Sequence, residues 1–343
     1  MRNYSIDSVR MLASLAVVFM HVVNYLPTTT YANYWTYDWY FPLLDLAVPI
    51  FFAFSGYFLY SKNDKAILTQ ALKILTMLIA YSLVYLLIKL PMEVVLNPSG
   101  GANAIQSIFN YFCQYSLLDY FIGIVGSEHL WFLAALFYAV IILYILRRLK
   151  LSAQRRFIIG TVLFLISFLP PINQLWDSLL LYGGFVKAYF YVTMGYMLAG
   201  RRIQVNVGFA VLIVSLIALV VFASNADSQF ILEFFLAIVV FWIIVLCQMY
   251  PGRENILSRY SHYSLGIYFL HIMFTGIFTV VRSMYPSLNL VNPVIVVIPV
   301  FAICVLGSCL LFPLTERFIH QPLIHLLNKV FKAWNWDIYI KPS

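Results

Sequence analysis

Stretches of roughly 17 to 25 mostly apolar residues recur along this chain, at about 9–27, 42–60, 66–90, 129–147, 156–173, 184–199, 206–224, 229–250, 262–282 and 293–316. A helix needs about that length to cross roughly 30 Å of hydrocarbon, since each residue advances about 1.5 Å. The pattern predicts ten transmembrane helices. Composition removes the soluble alternative. With 63% hydrophobic and 10% charged residues and a mean hydropathy of +0.89, a water-soluble domain of 343 residues could not bury its apolar surface. No polar stretch between the runs is long enough for a soluble domain. Residues 1–343 therefore read as one all-α, polytopic membrane bundle.

The basic residues orient it. Lys and Arg should collect on the cytoplasmic connections, and Arg2, Arg10, Lys62, Lys65, the run 147–156, Arg201, Arg202, Arg253, Arg259, Arg317 and Lys329 all fall on one side. Lys187 and Arg282, with Lys89 at the end of the third run, are the few on the other side. Both termini are expected in the cytoplasm, and the first span is expected to stay uncleaved, because no A-x-A-like site follows it. Counting 104–125 as an eleventh span would put "RRLKLSAQRR" outside, so 91–128 reads as an external connection holding an interfacial or re-entrant helix. The aromatic and lysine-bearing tail, 318–343, reads as lying on the cytoplasmic surface. The net charge of +8 needs no nucleic-acid partner. The four cysteines have no metal-ligand or disulfide spacing, so no metal site is expected.

Within the first run, Arg10 and His21 are separated by ten uncharged residues. Eleven steps of 100° bring them to one helix face, about 16 Å apart along the axis. Ionisable groups at that depth face the protein interior or a wet cavity. One reading is a buried, hydrogen-bonded histidine above a boundary arginine. The other is chemical: neutral imidazole takes a proton from a hydroxyl, and guanidinium holds a phosphate bidentately.

Arg, ten residues, then His on the first span resembles the hallmark of the acyltransferase-3 family, integral membrane proteins that move acyl groups onto surface glycans and related acceptors. "VPIFFAFSGYFLY" at 48–60, "EHLWFLAALF" at 128–137, "SHYSLGIYFLH" at 261–271 and Glu316 in "LTERFIHQP" are similar to further family motifs in the same order. Two features depart from the pattern. "KNDK" stands where some members carry Arg-x-x-Arg, and the stretch from Glu316 to Pro322 is longer than the family's Glu-x-Pro.

The resemblance implies a multi-pass protein of the bacterial inner or plasma membrane, moving an acyl group, most simply acetyl, from cytoplasmic acyl-CoA to a surface polysaccharide or lipid-linked glycan. Acetyl-CoA is then a donor substrate rather than a resident cofactor. Membrane lipids surround the chain, and a second copy of it remains an open partner. His21 is implied as the catalytic base, and Arg10 as a contact of the donor. Lys62 and Lys65 would grip CoA phosphates or serve as ordinary cytoplasmic charges. Glu316, at Arg10's depth, would join donor binding or pair with arginine. Glu128, His129 and Trp131 at the mouth of the fourth span would orient the acceptor, although tryptophan is also an interfacial anchor. Ser264, Tyr268 and His271 share a helix face and would contact substrate or form a polar seam between helices. Asp45, at His21's depth, would orient the imidazole as the acid of a triad does. Ser55 would relay the acyl group, or Ser-Gly would let helices pack closely. A transporter of the same fold is the main rival, and a non-catalytic scaffold for glycan assembly a weaker one.

Overall fold

The computed structural model describes residues 2–24, 40–96, 104–177, 179–201, 203–223, 229–285, 287–288, 293–334 and 338–341. The end of the first run at 25–27, residues 97–103 of the long connection, Arg202 and residues 335–337 of the tail lie outside the described residues.

The described chain is 84% helical, with no strands among the described residues. In order come α1 (Tyr4–Asn24), α2 (Phe41–Leu44), α3 (Ala47–Leu59), α4 (Asp64–Leu96), α5 (Ala104–Cys113), α6 (Leu117–Ile122), α7 (Trp131–Arg148) and α8 (Ala153–Ile166). Then follow α9 (Gly184–Ala199), α10 (Gly208–Ala218), α11 (Gln229–Met249), α12 (Ile256–Tyr260), α13 (Ser264–Met284), α14 (Pro293–Thr315) and α15 (Gln321–Ala333). Short polar side chains set several starts by holding otherwise unpaired amides. Asn3 accepts from Ile6 N at 3.0 Å, Asn63 from Ala66 N at 2.8 Å and Ser152 from Arg155 N at 3.2 Å.

Seven helical segments among the described residues are long and apolar enough to cross a membrane, which makes this an all-α membrane bundle. The other three expected spans are shorter helices: α8 with 14 residues, α9 with 16, and Gly208–Phe222. The region 104–125 is not one span. It is broken into α5 and α6 at Ser116, whose hydroxyl and backbone N–H exchange hydrogen bonds with Asp119 in a capping box. Helix α4 runs to Leu96, past the expected end of its run. The last span does not stop near residue 316 either. A single π-helical turn, Glu316–His320, carries α14 into α15.

The chain forms two compact units, one of Met1–Ser61 with Tyr191–Pro313, the other of Lys62–Phe190 with Leu314–Ser343. In the first, α1 packs on α13, α12 and α3. Met11, Val18 and Val22 interlock with Ile267, Val297, Val300 and Cys304, so the polar positions of α1 are held in fixed rotation. The Gly56 and Gly195 pair sets a close helix crossing. A Cβ on Gly56 would collide with the backbone of Val192, and one on Gly195 with the backbone of Ala53. In the second unit α4 packs along α7. The amphipathic α15 buries Ile324 and Phe331 with Leu72 and Ile340, and Asn328 clamps the tail by exchanging two 2.8 Å bonds with the Ile340 backbone.

Candidate active site

In the first unit α1 and α13 bring together two histidines 250 positions apart in sequence. The rings of His21 and His271 lie 5.1 Å apart, tilted by 43°. His271 is fully buried, and its Nδ1 sits 3.0 Å from the Ile267 carbonyl one turn earlier. His21 is half-buried, and neither of its nitrogens has a hydrogen-bond partner among the described residues. Tyr268 lies 6.2 Å from His271 and 5.9 Å from Phe51, ring to ring. Ser264, two turns before His271 on the same face, is fully buried. Its hydroxyl has no hydrogen-bond partner among the described residues.

Arg10 lies three turns below His21 on α1, half-buried. Its guanidinium makes no hydrogen bond or ion pair among the described residues. The acid one turn earlier, Asp7, is engaged by Arg2 at 2.6 Å. A half-buried cation left in this state is suited to receive an anion. Asp45 closes the short α2 through its backbone N–H to Phe41 O. The Ser55 hydroxyl donates to Phe51 O at 2.7 Å, beside the Gly56 crossing, which fits the packing role of Ser-Gly.

The second unit holds the remaining expected residues in three places. Lys62 and Lys65 are exposed. They stand beside arginines that no local spacing announces: Arg147 donates to the Lys62 carbonyl at 2.7 Å and pairs with Asp64 at 2.6 Å, and Arg148 reaches Asp64 at 3.8 Å.

Glu316 is buried with His320, whose Nδ1 is 3.0 Å from each carboxylate oxygen. His320 Nε2 is 3.2 Å from Thr76 Oγ1, and the Tyr81 hydroxyl donates to Glu316 at 3.4 Å. Sequence reasoning missed His320 here, although its i+4 spacing from Glu316 was visible. Thr76 and Tyr81 had no sequence signal.

At the start of α7, Glu128 is exposed while His129 and Trp131 are buried. His129 Nδ1 is 2.8 Å from the Ser127 hydroxyl, and its ring is 5.2 Å from Tyr85. A tyrosine not singled out in the sequence completes this group. Tyr182 donates to Glu128 at 2.9 Å and places its ring 5.4 Å from Trp131. It does so from a left-handed backbone, φ 53°, a strained conformation for a bulky residue that its surroundings must hold. Partial burial, then the nearby Glu128 carboxylate, push the Tyr182 phenol up to about 12. Among the described residues no three His, Cys, Asp or Glu gather as a metal site.

An all-helical membrane bundle with an unbonded imidazole above an unpaired guanidinium has the makings of a membrane-embedded transferase. The sequence matches the family model for the acyltransferase-3 domain, described as an acyltransferase domain, over residues 3–312. The chain belongs to the acyltransferase-3 family and is a membrane acyltransferase. Comparison with curated proteins and with solved structures returns no match. The matched region contains Arg10, His21, Trp131 and His271, and it ends before Glu316 and His320.

Proposed function

We propose that the protein transfers an acyl group, acetyl in the simplest case, from cytoplasmic acyl-CoA to a hydroxyl of a surface or lipid-linked glycan at a bacterial cell membrane. One observation carries this reading: an imidazole with no protein hydrogen-bond partner among the described residues shares a helix face with a guanidinium that is likewise unpaired. The side of the bilayer follows from the loop charges.

In this reading Arg10 meets the anionic part of the donor, and the pantetheine arm covers the interval of about 16 Å to His21. Neutral His21 takes the proton of the acceptor hydroxyl as that oxygen attacks the thioester carbonyl. The tetrahedral intermediate collapses with cleavage of the C–S bond, and the coenzyme A thiolate leaves and receives the proton. The acyl ester stays on the glycan. Lys62 and Lys65 add cytoplasmic positive charge for phosphates, without the fork geometry of arginine. In the second unit, Glu128, Trp131 and Tyr182 group a carboxylate, a hydroxyl and aromatic rings of the kind that bind sugars.

The test uses membranes with and without the protein, supplied with acyl-labelled CoA. Labelled acyl ester on surface glycan, with the matching mass increase, is expected only when the protein is present. Absence of acyl-CoA binding together with uptake of a labelled solute by proteoliposomes would instead establish a transporter.

A further inference from the structure

The contact between His21 and His271 allows a further step, which rests on the reading of His21 as the base. A backbone carbonyl only accepts hydrogen bonds, so the 3.0 Å contact of His271 Nδ1 with the Ile267 carbonyl requires the proton on Nδ1. In the neutral ring, Nε2 then carries the lone pair. That ring is fixed twice, by this bond and by complete burial on a helix keyed to α1 through Met11, Val18, Val22 and Ile267.

The ring centroids are 5.1 Å apart. Imidazole atoms lie about 1.2 Å from their centroid, so two facing ring edges come within about 3 Å, a hydrogen-bond distance. No hydrogen bond joins the rings in the resting arrangement. Catalytic hydrogen bonds of free enzymes commonly form only in the substrate complex.

We propose that His271 is the positioning residue for His21: its Nε2 accepts a hydrogen bond from one His21 N–H, leaving the other His21 nitrogen unprotonated and aimed at the acceptor hydroxyl. When His21 takes the acceptor's proton and becomes imidazolium, the same bond becomes charge-assisted and stronger. His271 itself neither gains nor loses a proton over the cycle, because the proton passes from hydroxyl to His21 to the departing thiolate. In this arrangement the imidazole supplied by α13 orients that of α1.

Transfer kinetics of full-length His271→Asn and His271→Gln in membranes test this, with His21→Ala as reference. A glutamine amide reaches the place of Nε2 and presents oxygen there, whereas an asparagine amide reaches only the place of Nδ1. The expected kcat falls about 100-fold in His271→Asn and about tenfold in His271→Gln, with KM for acyl-CoA and acceptor changed by less than about twofold. Equal losses in the two variants, greater activity in His271→Asn, or losses confined to KM overturn the proposal. So does an Nε2–H tautomer of His271 in ¹⁵N-histidine NMR of the wild-type protein, a measurement that needs no variant to fold. Wild-type transfer rates in His21→Ala would overturn the base assignment instead, so the two failures are distinguishable.

Discussion

Two histidine clusters, one in each compact unit, differ in what their polar atoms are bonded to. In the second unit His320 spends both ring nitrogens on protein partners, Glu316 at 3.0 Å and Thr76 at 3.2 Å, and Tyr81 closes the group from α4. In the first unit His21 has a ring neighbour but no hydrogen bond among the described residues, and Arg10 below it has no ion pair. A satisfied buried network rigidifies the helices that share it. A polar group left without a partner costs about 1–3 kcal/mol when buried and is kept where something else is to bind. The contrast supports the proposal that the His21 cluster serves chemistry, with the Glu316 cluster serving shape.

That contrast can be broken most decisively at His21. His21→Ala should lower acyl transfer by about 10²–10⁴-fold, while the thermal midpoint in detergent stays near that of the wild type, since no protein hydrogen bond is lost. A large fall in midpoint would show that His21 also holds the fold.

The next effect should be the mirror image. His320→Leu leaves Glu316 without its principal partner and should cost about 1–3 kcal/mol of stability, read as a lower thermal midpoint. The transfer rate per folded molecule should stay within about twofold. A raised KM for acyl-CoA with an unchanged midpoint would move Glu316 into the donor site and erase the distinction.

The smallest effect sharpens the scale with an exposed pair. Tyr182 donates to Glu128 but is 51% exposed, so Tyr182→Phe should cost less than about 1 kcal/mol. The phenol is raised from 10.0 to about 12 in the folded protein, so its contribution is complete below pH 10 and lost as the pH rises towards 12. A titration of stability across that window should flatten in Tyr182→Phe.

Much of the architecture was legible because it depends on local periodicity. Apolar runs of spanning length announced an all-helical membrane bundle, and the basic run at 147–156 argued against an eleventh span at 104–125, a region that is in fact two helices divided by a capping box at Ser116. Where helices run on was harder to read. Pro91 lies inside α4, and α14 passes through a π-helical turn into α15, so no local stop signal marked either end. Part of the site could also be read locally. Arg10 and His21 share a face by arithmetic on one helix, and Ser264, Tyr268 and His271 do so on another.

Their meeting could not be read that way. Nothing in the 249 positions between them states that His271 lies against His21, and nothing local states that Arg147 donates to the Lys62 backbone or that Tyr182 reaches Glu128. The sequence by itself determined which residues form helices, which solvent those helices require and which polar groups each carries on one face, since these are properties of a single helix repeat. Only the tertiary structure decided which faces meet. That choice rests on interlocking contacts such as the cluster that holds Met11, Val18 and Val22 together with Ile267 and the Gly56 and Gly195 crossing. Such contacts depend on side-chain shape between segments distant in the chain, and shape complementarity has no sequence period.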